Sequence, residues 1–128
     1  MGTSGEQVVT DVSATMGGAL SGPSLGWLFR ASLASCCATV IAMRAALLGI
    51  NLTRLEIGVE SESDAREMLC HDDRISAGAS GLRTDIQIAA DNADAKQLEE
   101  LVQWADNHAP VGCTVRNAVA NAIAVRVV

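Results

Sequence analysis

Residues 24–48 read SLGWLFRASLASCCATVIAMRAALL, and Gly49 follows. The stretch is almost uninterrupted helix material and predicts one long helix, with Gly49 as its left-handed C-cap. Its polar residues Arg30, Ser32, Ser35, Thr39 and Arg44 do not gather into one wet face at helical spacing. Most of the circumference is apolar, so the helix is expected to be central and buried. A membrane span is not expected, because only residues 31–43 are free of charge and a span needs about 20 residues.

Upstream, residues 1–26 are rich in Gly, Ser and Thr, with one strand-like segment at 7–12 and turn signals at Gly17-Gly18 and Ser21-Gly22-Pro23. Downstream, residues 54–60 alternate, with Leu55, Ile57 and Val59 opposite Arg54, Glu56 and Glu60. That is the pattern of a half-buried strand. Residues 61–81 form a polar, Gly-rich connection. Residues 82–90 alternate again, setting Leu82, Ile86 and Ile88 against Arg83, Asp85 and Gln87, and should pair with the first strand.

Asp94 and Gln97 make a capping box for a second helix whose apolar stripe is Leu98, Leu101, Val102 and Ala105. Pro110 ends that region, Cys113 is expected to open a short third helix, and residues 123–128 suit a last strand. No internal repeat occurs. The expected fold class is α+β: one domain over residues 1–128, with a long buried central helix packed on a small, mostly antiparallel sheet.

The bulk numbers bound the function. At 128 residues the chain suits one domain with a sizeable core. That core must come from Ala, Val, Leu and Ile, since the chain is 49% hydrophobic but only 2% aromatic. A net charge of -6 with nine scattered basic residues excludes binding by phosphate neutralisation, so no nucleic-acid partner is expected. No basic amphipathic helix appears, so no membrane partner is expected either. The first twenty residues lack a basic start and a sustained apolar run, which makes the cytoplasm the expected location.

In a reducing compartment, four cysteines point to thiol chemistry, metal binding or core filling before disulfides. Cys36 and Cys37 sit midway along the long helix, about 100° apart around its axis. Either can serve simply as a small apolar residue. Cys113 follows Gly112 at an expected helix start, where free N–H groups and the helix dipole favour a thiolate. Cys70, beside His71, reads as an incidental thiol in the polar connection.

The residues 28–36, LFRASLASC, resemble the OsmC/Ohr helix pattern Leu-Leu-x-Ala-Ala-Leu-x-x-Cys, and residues 111–119, VGCTVRNAV, resemble its second motif, commonly Cys-Pro-Val-Ser-x-Ala-Leu. The order of elements between the motifs also agrees. The resemblance implies an intertwined homodimer, with Cys36 reacting with an organic hydroperoxide and Cys113 resolving the resulting sulfenic acid. A cellular dithiol then restores the pair, and no cofactor is required. The sequence departs from the family in four ways. The N-terminal region is short, no Glu follows Pro23 at the helix start, no Arg precedes Arg30, and Thr114 rather than Pro follows Cys113.

Those departures give an alternative: a catalytically degenerate OsmC-like dimer that binds a hydrophobic small molecule. Arg30 and Arg44 are poorly spaced to serve Cys36 within one chain, while Arg116 lies near enough to assist Cys113. A metal site through Cys70, His71, His108 and Cys113 is a third reading, although the spacing matches no compact zinc pattern. His108 suits either a base beside Cys113 or a partner for the last helix carbonyls. Trp27 and Trp104 suit packing or a pocket wall.

Overall fold

A computed structural model describes residues 4–64, 66, 69 and 73–127, so Cys70 and His71 lie outside the described residues. Helix α1 runs Leu25–Leu47, strand β1 Leu52–Glu62, strand β2 Gly81–Ala90, helix α2 Ala95–His108 and helix α3 Pro110–Asn117. A single turn of 3-10 helix, Ala14–Met16, precedes them. β1 and β2 pair antiparallel. Glu62 accepts from the Ser80 N–H at 2.8 Å, and Asn51 accepts from the Asp91 N–H at 3.1 Å. The described elements give an α+β fold.

Local signals set the helix ends. The Ser24 hydroxyl accepts from the Trp27 N–H at 3.2 Å, satisfying a first-turn donor of α1. At the other end Gly49 takes φ +67, as its place in the sequence predicts. Its N–H reaches the Ala46 carbonyl and the Ile50 N–H reaches the Ala45 carbonyl, which is the paired closure of a Schellman ending. α2 carries the expected box: Asp94 accepts from the Gln97 N–H at 2.8 Å, and Gln97 accepts from the Asp94 N–H at 2.9 Å.

The chain divides into two compact units, Leu33–Gly58 with Thr84–Val128, and Met1–Ser32 with Val59–Arg83. The first holds the core, in which Ile41 and Ala45 of α1 meet Leu98, Leu101 and Ala105 of α2. Leu55, Ile57, Ile86 and Ile88 pack against it from the two strands. The apolar stripe expected on α2 is therefore the stripe that is buried, apart from the half-buried Val102.

In the second unit, Asp11 organises the N-terminal segment. Its carboxylate accepts from the N–H groups of Val12, Ala19 and Ser21 and from the Ser21 hydroxyl. These donors hold the carboxyl well below the usual carboxylate range. The loop closes so tightly that a Cβ at Gly18 would collide with the Val12 carbonyl.

Three sequence expectations change. Residues 7–12 form no strand, and Val8 and Val9 are exposed. Their segment turns back through the Asp11 loop instead, with the Leu20 N–H on the Val12 carbonyl. Residues 118–127 are likewise irregular, with Ile123, Val125 and Val127 more than 80% exposed (84%, 82% and 89%). A strand needs a neighbour for its backbone groups, and alternation alone does not supply one.

The third change concerns α1. It is as long as expected, yet only Ile41 and Ala45 on it are buried within this single chain. Trp27, Met43 and Leu47 stand 54%, 63% and 78% exposed. An all-round apolar helix needs cover on more than one side. In the core, α2 and the strands cover the side that carries Ile41 and Ala45.

Candidate functional site

Cys36 lies midway along α1 and is half-buried, as are Cys37 and Cys113. All three are free thiols. Opposite Cys36 is the start of α3. Pro110 occupies the first helical position and has no N–H, so Val111 supplies the first backbone donor of that helix. The Val111 N–H points at Cys36 Sγ, with N···S 3.4 Å. Ala109, the N-cap residue of α3, makes no side-chain cap hydrogen bond. The sulfur of Cys36 thus takes a role that a Ser or Asp usually fills.

This reverses one sequence expectation. α3 opens at Pro110, three residues before Cys113, so the N–H of Cys113 is already committed to the Ala109 carbonyl at 2.9 Å. The free donor of the helix start serves Cys36 instead. Cys113 Sγ lies 3.5 Å from the Asn107 carbonyl oxygen, a contact in which the thiol donates. One short helix therefore carries both the donor that holds the first sulfur and, two residues on, the second sulfur.

Cys37 is different again. Burial pushes its thiol up from the ordinary value, and the Asp106 carboxylate and the neighbouring Cys36 add to the effect. It also packs against the core cluster, which suits the role of small apolar residue.

The arginines weighed in the sequence have other partners. Arg30 Nη1 donates to Ser61 Oγ at 3.0 Å, beside a cavity of about 710 Å³ that Glu60, Glu62 and Arg83 also line. Among the described residues no cysteine lines that cavity. Arg44 lies over the Trp104 ring, 4.3 Å from its centroid. Arg116, suited by sequence to assist Cys113, pairs with Asp106 at 2.8 Å instead. Its guanidinium is drawn toward the C-terminal end of α2, where the Asp106 carbonyl also accepts from it.

His108 takes the ordinary place of a histidine at a helix end. Its Nδ1 is 2.7 Å from the Trp104 carbonyl oxygen, and its ring stacks on Trp104 with centroids 3.9 Å apart. Two of the four residues of the metal reading, Cys70 and His71, lie outside the described residues; among the described residues no group of three or more His, Cys, Asp or Glu could hold an ion.

The residue that sequence reasoning missed is Val111, acting through its backbone. The available signal was Pro110, since proline favours the first position of a helix. Reading the helix start at Cys113 assigned the donor to the wrong sulfur.

A family model described as OsmC-like protein matches residues 17–124. The chain belongs to the OsmC-like family. Solved structures agree in fold. An OsmC-like protein from Mycoplasma pneumoniae superposes with a TM-score of 0.72 at 14% identity, over 88% of this chain and 74% of that one. An organic hydroperoxide resistance protein OsmC from Legionella pneumophila gives 0.60 at 18%, over 85% and 73%. The organic hydroperoxide resistance protein OhrB of Bacillus subtilis gives 0.52 at 20%, over 81% and 69%. No curated sequence matches the chain.

Proposed function

We propose that this chain reduces organic hydroperoxides with its own thiols, Cys36 attacking and Cys113 resolving. The single observation that carries the reading is the Val111 N–H directed at Cys36 Sγ. A donor at that sulfur stabilises the negative charge it carries as a nucleophile. Membership of the OsmC-like family and neighbours named for hydroperoxide resistance support the substrate class.

The steps balance as follows. The Cys36 thiolate attacks the terminal oxygen of R–O–O–H, the O–O bond breaks, and the alkoxide leaves with a proton as the alcohol. Cys36 is now a sulfenic acid. The Cys113 thiol displaces its hydroxyl as water and forms a disulfide, which a cellular dithiol reduces. For this step Cys113 must leave the Asn107 carbonyl. The apolar residues along α1 suit an alkyl or aryl tail better than hydrogen peroxide, because the tail gains by leaving water.

We also propose that the working unit is a homodimer and that its setting is the cytoplasm. The exposed Trp27, Met43 and Leu47 of α1, with the exposed, irregular residues 119–127, support a second copy as the missing cover. Analytical ultracentrifugation tests this: a dimer is expected, and a monomer at all concentrations overturns it.

The second reading, a degenerate binding protein for a hydrophobic small molecule, is favoured by the other partners of Arg30, Arg44 and Arg116. One stopped-flow experiment separates the two. With cumene hydroperoxide, rapid oxidation of wild-type protein that is lost in Cys36→Ser supports the peroxidase. Equal, slow rates in both proteins favour the binding protein.

A further inference from the structure

α2 and α3 are joined through one residue, the buried Ala109. The last carbonyls of α2 cannot be satisfied in the usual way across that joint. Four residues beyond Asp106 stands Pro110, which has no N–H. Four residues beyond Asn107 stands Val111, whose N–H is turned to Cys36 Sγ. Both carbonyls are met instead by side chains of α3. Cys113 Sγ donates to the Asn107 carbonyl at 3.5 Å. Arg116 takes Asp106: Nη2 lies 3.3 Å and Nη1 3.4 Å from the carbonyl oxygen, and Nη2 lies 2.8 Å from Oδ1 of the carboxylate.

Of these two ties the charged one is the stronger, since a thiol is a weak donor. It also has the greater leverage. At 1.5 Å per residue, Val111 lies about 3 Å along the chain axis from Ala109, Cys113 about 6 Å and Arg116 about 10 Å. A turn of α3 about Ala109 therefore moves Cys113 more than it moves Val111, and Arg116 opposes it most.

We propose that Arg116 is a positioning residue of the resolving step. Paired with Asp106, it holds Cys113 in its waiting place at the end of α2. Release of the pair lets α3 turn about Ala109 and frees Cys113 to meet Cys36. This role rests on the resolving function proposed above for Cys113, and it separates the two chemical steps. Attack by Cys36 keeps its rate when the pair is lost, because Val111 lies beside the pivot. Closure of the disulfide becomes faster.

The test reads both steps in Arg116→Ala, Asp106→Ala and the double variant, each checked for fold by circular dichroism. With cumene hydroperoxide, quenched-flow alkylation and peptide mapping follow loss of the free Cys36 thiol and appearance of the Cys36–Cys113 disulfide. With one equivalent of DTNB, Cys36 takes up a thionitrobenzoate, and Cys113 displaces it as a second thionitrobenzoate anion, so this route needs no peroxide. Rates of closure are compared on the plateau of the pH profile, where a changed ionisation of the attacking thiol no longer enters.

Each single variant should close the disulfide about two- to fivefold faster than wild type by either route. The double variant should be no faster than the singles, and about 1 M KCl should bring wild type close to them by screening the half-exposed pair. Closure that is unchanged or slower in the folded variants, a first step altered in parallel, or no Cys36–Cys113 disulfide with either reagent overturns the role of Arg116. Faster closure with DTNB and no reaction with the peroxide leaves that role standing and removes the peroxidase reading instead.

Discussion

The middle of α1 and the second turn of α3 each present a half-buried thiol, and their surroundings are opposite in sense. Cys36 receives a backbone N–H from the start of a helix. Cys113 faces a carbonyl oxygen at the end of one. The first contact brings a hydrogen-bond donor to the sulfur, and the second brings an acceptor. The contrast teaches that position along the helices, more than the cysteines' own burial, sets what each sulfur meets: a donor at Cys36 and an acceptor at Cys113.

The largest way to break that contrast is Cys113→Ser. Under the proposed mechanism the first equivalent of peroxide still reacts, and the protein then stalls as the Cys36 sulfenic acid. Dimedone trapping and intact mass check this, and sustained turnover with the dithiol reductant at the wild-type rate would count against a resolving role.

Next in size is Leu101→Ala. Leu101 is 2% exposed in the core that holds α2 against α1, and its truncation should lower stability by about 2–5 kcal/mol in denaturant unfolding. Peroxide reactivity should fall in step with unfolding, because α3 follows directly on α2. A variant that is folded, stable and inactive would mean that the core contributes to the site in a way not described by packing.

A smaller and sharper change is an amide-to-ester replacement at Val111, which removes the N–H and keeps the side chain. Hydrogen bonds to charged groups are worth about 1.5–3 kcal/mol, so the Cys36 rate should drop by about 10- to 100-fold. An unchanged rate would remove the donor from the mechanism.

The smallest effect is expected at Cys37. Cys37→Ser should leave the peroxide rate close to wild type. Since burial pushes the Cys37 thiol up, its alkylation should begin to accelerate at higher pH than that of a free cysteine, whose thiolate appears around pH 8.5. For the same reason ionisation of Cys37 favours the unfolded chain. Its contribution to stability is intact below the ordinary thiol value and declines as pH rises through it toward the raised one. Rapid alkylation of Cys37 at neutral pH would contradict this assignment.

What the sequence disclosed, and what it hid, follows the same physical line. Gly49 and the Asp94–Gln97 box were legible because a helix end is decided by residues a turn apart. The core face of α2 was legible from its spacing. Residues 7–12 and 123–127 carry strand composition without strand structure, because a strand is completed by residues distant in sequence or in another chain. The two cysteines stood out through their surrounding motifs. Their contacts did not, since Val111 meets Cys36 across 75 positions and Arg116 prefers Asp106 to Cys113.

The most direct measurement is peptide mapping by mass spectrometry after reduced protein meets one equivalent of cumene hydroperoxide. The account predicts one new disulfide, joining Cys36 to Cys113 within or between chains. Recovery of Cys36 unmodified after the peroxide is consumed, or a bridge that leaves Cys36 out, would contradict it.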